Sequence, residues 1–238
     1  MTRPRLLFPL ALASLCALPA SPSSNTREKA RIETTERFTL AANAVLRLKD
    51  SFGEVYIEGW DQPEVEVRLS KATAQQHGPE ELDEALRHLD SIKITTAKTA
   101  ENELTITTRF PSRNLFLRPL RAKSNLELIY RIKAPRELSL KIEHEVGEVR
   151  VKDIRGDLRI TNGIGEIALA LPETAHYIVD ARVRIGDVSS AFGGTTERRL
   201  LIGASLFDRQ SFAAKHLYLR VGIGDIQVKK IPEQPWQD

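Results

Sequence analysis

Gly147-Glu148-Val149-Arg150-Val151, Gly156-Asp157-Leu158-Arg159-Ile160 and Gly165-Glu166-Ile167-Ala168-Leu169 are three copies of one form, Gly-acid-apolar-x-apolar. Gly186-Asp187-Val188 and Gly224-Asp225-Ile226-Gln227-Val228 continue it, Gly53-Glu54-Val55-Tyr56-Ile57 precedes it, and Gly203-Ala204-Ser205-Leu206 is a degenerate copy. With 147, 165, 186, 203 and 224 taken as one series the steps are 18, 21, 17 and 21, and Gly156 falls halfway through the first. Self-similarity at a period of about 20 residues marks a repeat architecture. Half-step copies predict a coil of two or three short strands. Glycine accepts positive φ and so allows a tight corner, and the following acid can bond free backbone N–H groups there. The apolar pair then faces inward and stacks on the same pair one coil away, at a strand spacing of about 4.8 Å. No single coil buries its own apolar side, so neighbours must supply the core. The expected fold is all-β, a β-solenoid of short strands stacked in chain order. Lys229, Lys230, Pro232 and Pro235 stand near its C-terminal end as blockers of edge pairing.

Working outward, the same period of two governs Val55-Tyr56-Ile57-Glu58, Val65-Glu66-Val67-Arg68-Leu69, Leu104-Thr105-Ile106-Thr107, Leu126-Glu127-Leu128 and Leu138-Ser139-Leu140-Lys141-Ile142. Such alternation means strands with one face buried and one solvated. Pro79 to Asp90 breaks the rhythm: proline early, acids in the first turn, and Leu82, Leu86 and Leu89 on one stripe predict an amphipathic helix inserted between strands and packed on the sheet. Phe110 to Asn125 has two prolines and no period, and reads as a long loop. From Arg109 to Arg136, ends included, eight Lys or Arg stand against one acid, Glu127.

Arg3 and Arg5, the apolar run Leu6 to Leu18, and the small residues and helix breakers that follow have the order of a secretory signal peptide. Cleavage is expected after Ala20. The run is short for a membrane span, which needs about 20 residues, so the mature chain is not expected to be transmembrane. Cys16, the one cysteine, lies inside this leader. A lipoprotein signal wants a small residue before the cysteine; here it is Leu15. Without a mature cysteine the fold has no disulfides, thiolate metal sites or cysteine nucleophile. The resulting division is a signal peptide at 1–20, a flexible lead-in at 21–30, an N-terminal β region with the helix and basic loop at 31–125, and the solenoid repeats with a C-terminal cap at 126–238.

The 238 residues are 41% apolar and 28% charged, with a net charge of +3 and a pI near 9.0. Two of the positive charges fall in the leader, so the mature chain is close to neutral. Long-range attraction to nucleic acid is not expected.

At Tyr130-Arg131-Ile132-Lys133-Ala134-Pro135, Leu138-Ser139-Leu140, Gly147-Glu148-Val149 and Asn162-Gly163-Ile164-Gly165-Glu166-Ile167 the sequence resembles the "putative-adhesin" family of exported bacterial β-strand-repeat proteins. Gly53 to Asp61 with Pro63 to Val67 is similar to that family's first strand pair. The resemblance covers about Asp50 to Lys230. It implies a solenoid-like β fold and an envelope location, periplasmic or at the cell surface. It brings no catalytic or cofactor-binding residues.

Glu148, Glu166, Asp187 and Asp225 share one phase of the repeat, interrupted by Ser205. A column of them suits a divalent cation, a sugar or a lyase-like acid cluster; the simpler reading is solvated corner residues bonding the backbone. In the basic loop, Arg113, Phe116, Arg118, Arg121 and Lys123 mix cations with apolar residues, a composition that suits an anionic lipid surface, lipopolysaccharide or a partner protein. The alternative is a loop folded back on the solenoid. His77, His88, His144, His176 and His216 form no ligand pair such as H-E-x-x-H. Trp60 and Trp236 suit packing better than sugar stacking. Nucleophile-elbow, phosphate-loop and dinucleotide motifs are absent from the sequence. No cofactor or metal is expected. The preferred reading is a non-catalytic exported envelope protein, an adhesin-like binding or scaffold module that contacts envelope components or another protein. A carbohydrate-active enzyme on a β-solenoid and a self-assembling structural protein are the alternatives, and the oligomeric state is left open.

Overall fold

Alternating apolar and polar residues become strands almost throughout. A computed structural model describes residues 27–41, 43–100, 102–110, 126–192, 195–198, 203–207 and 215–232. The expected leader with Cys16, the expected basic-loop residues, Pro235 and Trp236 lie outside them. The strands are β1 (Glu28–Thr39), β2 (Val45–Trp60), β3 (Glu64–His77), β4 (Lys93–Ala100), β5 (Glu103–Arg109), β6 (Leu126–Pro135), β7 (Ser139–Lys152), β8 (Leu158–Ile164) and β9 (Ile167–Pro172). Then come β10 (Tyr177–Ile185), β11 (Val188–Ser190), β12 (Thr195–Arg198), β13 (Ala204–Phe207), β14 (Lys215–Ile223) and β15 (Ile226–Ile231). Together they form one open 15-stranded hydrogen-bonded sheet, with one helix among the described residues, α1 (Pro79–Ser91).

The repeat supplies its centre. Each copy is a strand or strand pair bent at its glycine, a unit here termed a coil: β2 at Gly53, β7 at Gly147, β8–β9 at Gly165, β14–β15 at Gly224 and β10–β11 at Gly186. All five glycines have φ between 96° and 133°, where an L side chain is strained. A Cβ on Gly147 would overlap the carbonyl oxygen of Gly53, and Gly165, Gly224 and Gly186 relate to the preceding glycine oxygen in the same way. Glycine is thus needed twice over, for the bend and for the closeness of the next coil.

Neighbouring coils pair in parallel and in register. Before the corner Leu46, Leu140, Leu158, Leu217 and Val179 form one row, and Leu48, Ile142, Ile160, Leu219 and Ala181 the next. After it Val55, Val149, Ile167, Ile226 and Val188 form another. These side chains are buried and belong to a single apolar cluster. One row contains polar side chains: Ser51, His144 and Asn162, followed by Val221 and Val183. Pairing crosses residue 125, since β6 bonds to both β2 and β3. On the Gly53 side, the antiparallel strands β1 and β3 continue one layer beyond β6, and β5 and β4 continue the other beyond β2.

Of the expected β-solenoid, the structure shows an open, mostly-β sheet of many strands, and the order of its bent units departs from the sequence reading. They do not stack in chain order: β14–β15, the last in the sequence, lies between β8–β9 and β10–β11. Lys229 and Lys230, expected to block an open end, sit in a strand paired with β9, opposite Ala170 and Leu171. The physical reason is that every copy offers the same two apolar rows, so chain order alone does not choose its neighbour. Gly203 has positive φ but leads into β13, which runs antiparallel to β10 and pairs with β12, and so does not add a coil of the same kind. Gly156 is not one of the positive-φ corners; a side chain there would overlap the backbone of Leu138.

The helix forms where the sequence places it. Pro79 stands at its first turn with Glu80 and Glu81, which suits the missing proline N–H and the positive end of the helix dipole. Ala85 and Leu89 are buried against Ala30, with Leu82, Leu86, Ile32 and Leu126 around them.

Candidate interaction surface

Outward-facing positions also line up across the coils, and they make three kinds of row. On the layer containing β3 and β6, Arg37, Glu66, Lys133, Glu58 and Lys152 are register neighbours in turn, so charge alternates across five strands. Arg37 bonds Glu66 at 2.7 Å and Lys152 bonds Glu58 at 2.9 Å. The hydrogen bond from Arg37 holds the Glu66 carboxyl below its ordinary pKa. Beside this row Tyr56 lies between Arg131 and Arg150, whose guanidinium carbons are 5.7 and 5.5 Å from the ring centre. On the other layer Tyr218 lies between Arg159 and Arg220 at 4.3 and 3.8 Å. Arg220 also binds the Asp180 carboxylate at 2.6 Å. These flat outer surfaces thus have much of their charge paired within the molecule.

The corner edge differs. The residue before each corner glycine is apolar: Phe52, Val146, Ile164, Ile223 and Ile185. The five are consecutive register partners and make one ridge across the coils. Ile164, Ile223 and Ile185 are each 47% exposed, which places them among the most exposed large apolar residues described. At the corner the backbone leaves its two-residue alternation, so two successive residues, such as Gly163 and Ile164, both face outward. Phe52 and Val146 are partly covered, and Phe52 meets Phe110 edge-on with ring centres 6.4 Å apart.

The acids that share one phase of the repeat follow one another along the far side of the ridge, Glu148, Glu166, Asp225 and Asp187 in spatial order, with Glu54 before them. Glu54 and Glu148 are register partners. Backbone bonds join the rest: Val149 N–H donates to Glu166 O at 2.9 Å, Ile167 N–H to Asp225 O at 3.0 Å and Ile226 N–H to Asp187 O at 3.0 Å. Corner chemistry explains part of them, since Asp225 Oδ1 accepts from the Asp187 N–H at 2.8 Å. Arg150 pairs with Glu148, and Glu54 accepts from the Tyr56 hydroxyl at 2.6 Å. Among the described residues no group of three His, Cys, Asp or Glu is placed to hold a metal ion.

The remaining sequence candidates are dispersed. His77 and His88 line a cavity of about 550 Å³ between α1 and the sheet, with Glu81, Glu84 and Leu126. His144 is buried at a corner, and burial pushes its pKa down to about 4. Trp60 donates to the Glu64 carbonyl at 2.8 Å, and Lys133 stands 5.5 Å from its ring centre. Arg113, Phe116, Arg118, Arg121 and Lys123 lie outside the described residues; only the flanking Phe110 and Leu126 are seen. The ridge was not anticipated, although its signal was present: an apolar residue precedes the glycine in Phe52-Gly53, Val146-Gly147, Ile164-Gly165, Ile185-Gly186 and Ile223-Gly224.

No helix of the described residues is long and apolar enough to cross a membrane. No family model and no curated protein matches the chain. Among solved structures it is similar to a "putative cell adhesion protein" from Clostridium sporogenes, with 14% identity over 84% of this chain and 100% of that one, at a TM-score of 0.49. It is also similar to a "putative adhesin" from Bacteroides fragilis, with 11% identity over 83% and 97% and a TM-score of 0.25. A "putative lipid binding protein" from Parabacteroides distasonis aligns with 12% identity over 66% and 70%, at a TM-score of 0.21.

Proposed function

We propose that this chain is a non-catalytic, exported cell-envelope protein of β-solenoid type, an adhesin-like binding or scaffold module related to the family its repeats resemble. The observation that carries this reading is the corner ridge: five repeats place Phe52, Val146, Ile164, Ile223 and Ile185 in one apolar line, of which Ile164, Ile223 and Ile185 are half exposed. A contiguous apolar strip that a stack of coils keeps at the surface has the character of a contact surface. Export rests on the leader-like Arg3 to Ala20.

The basic segment is a second contact in the same proposal. Arg113, Phe116, Arg118, Arg121 and Lys123 follow Phe110, which itself packs on the ridge residue Phe52, and their composition suits an anionic surface.

Fractionation of cells producing the tagged full chain tests the compartment. The expected result is a shortened protein in the envelope or periplasmic fraction; full-length protein confined to the cytosol overturns it. Incubation of the mature protein with envelope polysaccharides tests the absence of catalysis, and chain cleavage with turnover overturns that part. For the basic segment, Arg118→Ala with Arg121→Ala is expected to weaken binding to vesicles containing phosphatidylglycerol. Unchanged binding removes that contact.

A further inference from the structure

We propose that the corner edge binds a basic amphipathic helix of another polypeptide, laid along the ridge with its apolar stripe on Ile164, Ile223 and Ile185 and its cations on the neighbouring acid row. This deepens the binding-module reading and rests on it.

The ridge decides that something apolar docks; its surroundings decide what. One flank carries Glu54, Glu148, Glu166, Asp225 and Asp187, five carboxylates along the same line, and Arg150 pairs with Glu148. An anionic membrane surface or an acidic segment is repelled there, whereas Lys and Arg are attracted. On the other flank Gly163 and Gly222 stack without side chains beside Ile164 and Ile223, so an incoming chain can approach the backbone closely.

Spacing selects the conformation. Successive ridge residues belong to adjacent strands and are about 4.8 Å apart, so the five span about 19 Å. A helix presents its apolar stripe once per turn, about 5.4 Å, and covers that length with about 13 residues. An extended chain presents same-face side chains every ~6.8 Å and drifts out of phase within a few coils. An added strand is also refused by the hydrogen bonding. Backbone groups beneath the ridge already bond each other, Gly165 N–H to Ile223 O at 2.8 Å and Gly224 N–H to Ile185 O at 2.9 Å.

The test titrates the full mature chain with a fluorescein-labelled peptide of Leu and Lys, about 14 residues long, with leucines at three- and four-residue intervals. Two controls are a scramble of the same composition without a stripe and a version with Glu in place of Lys. The striped Lys peptide is expected to bind at least about tenfold more tightly than either control. Ile164→Ser with Ile223→Ser is expected to remove that preference while the circular dichroism spectrum stays native; both residues are half exposed, so the fold tolerates the change. Glu148→Gln with Glu166→Gln is expected to weaken binding and flatten its salt dependence. Equal binding of the scramble, or indifference to the isoleucine variant, overturns the proposal. Self-association in sedimentation that the isoleucine variant abolishes assigns the ridge to a second copy and also overturns it. Failure here with envelope localisation intact removes only the helix as occupant; cytosolic retention or catalysis removes the underlying reading.

Discussion

His144 Nε2 lies 3.1 Å from the carbonyl oxygen of Gly53, so the ring of one coil caps the corner of the coil before it. Its Nδ1 meets Ser51 Oγ at 2.7 Å, which makes the neutral ring with hydrogen on Nε2 the form that fits both partners. Asn162 repeats the device one coil on, donating to the Gly147 carbonyl at 2.9 Å. A corner oxygen beneath the next glycine has little access to water, and these side chains satisfy it.

Stability should therefore fall in acid. Burial lowers the His144 pKa from 6.5 to about 4, so between those values the unfolded chain takes up a proton that the folded chain refuses. The contribution of neutral His144 is fully present above pH 6.5, declines as pH falls, and levels off near the folded value. The loss is on the order of 3 kcal/mol. Urea midpoints measured from pH 7 to pH 4 should show this slope, and His144→Asn should remove it.

Corner glycines should be intolerant of alanine. In Gly165→Ala the new Cβ meets the Gly147 carbonyl at a φ of 133°, and a loss of about 3 kcal/mol or more is expected. Gly78, before α1, has open space around it, and Gly78→Ala should cost under about 1 kcal/mol. Urea denaturation of the two variants side by side checks the contrast.

Removal of residues 215–238 distinguishes an interior coil from a cap. A terminal cap is dispensable in a stack, at the cost of an exposed end. Here the loss strips Leu217, Leu219, Ile226 and Val228 from between two neighbours. The truncated chain should lose cooperative unfolding and aggregate, as read by thermal melts and size exclusion. A soluble, cooperatively melting product would contradict the spatial order.

Outer-surface charge should matter little and depend on salt. Glu58→Lys places a third cation between Lys133 and Lys152. Because these side chains are half exposed, the expected loss is about 1 kcal/mol or less, and it should shrink in high salt.

Strands, helix and corners were legible because each depends on local chemistry. Leu138-Ser139-Leu140-Lys141-Ile142 alternates because successive strand side chains face opposite ways. Gly53, Gly147, Gly165, Gly186 and Gly224 announce bends because positive φ is cheap only for glycine. The ridge was overlooked because strict alternation does not place two outward residues in succession, and the bend at Ile164-Gly165 breaks the alternation there.

The amino-acid order alone determined a repeated, bent β segment with a buried apolar pair, a glycine corner and an acid behind it, since those follow from backbone sterics and side-chain period. Which coil stacks on which, and hence that Ile223 lies between Ile164 and Ile185, was decided only in three dimensions. Near-identical coils present interchangeable faces, and the neighbour is selected by how the whole chain closes its core.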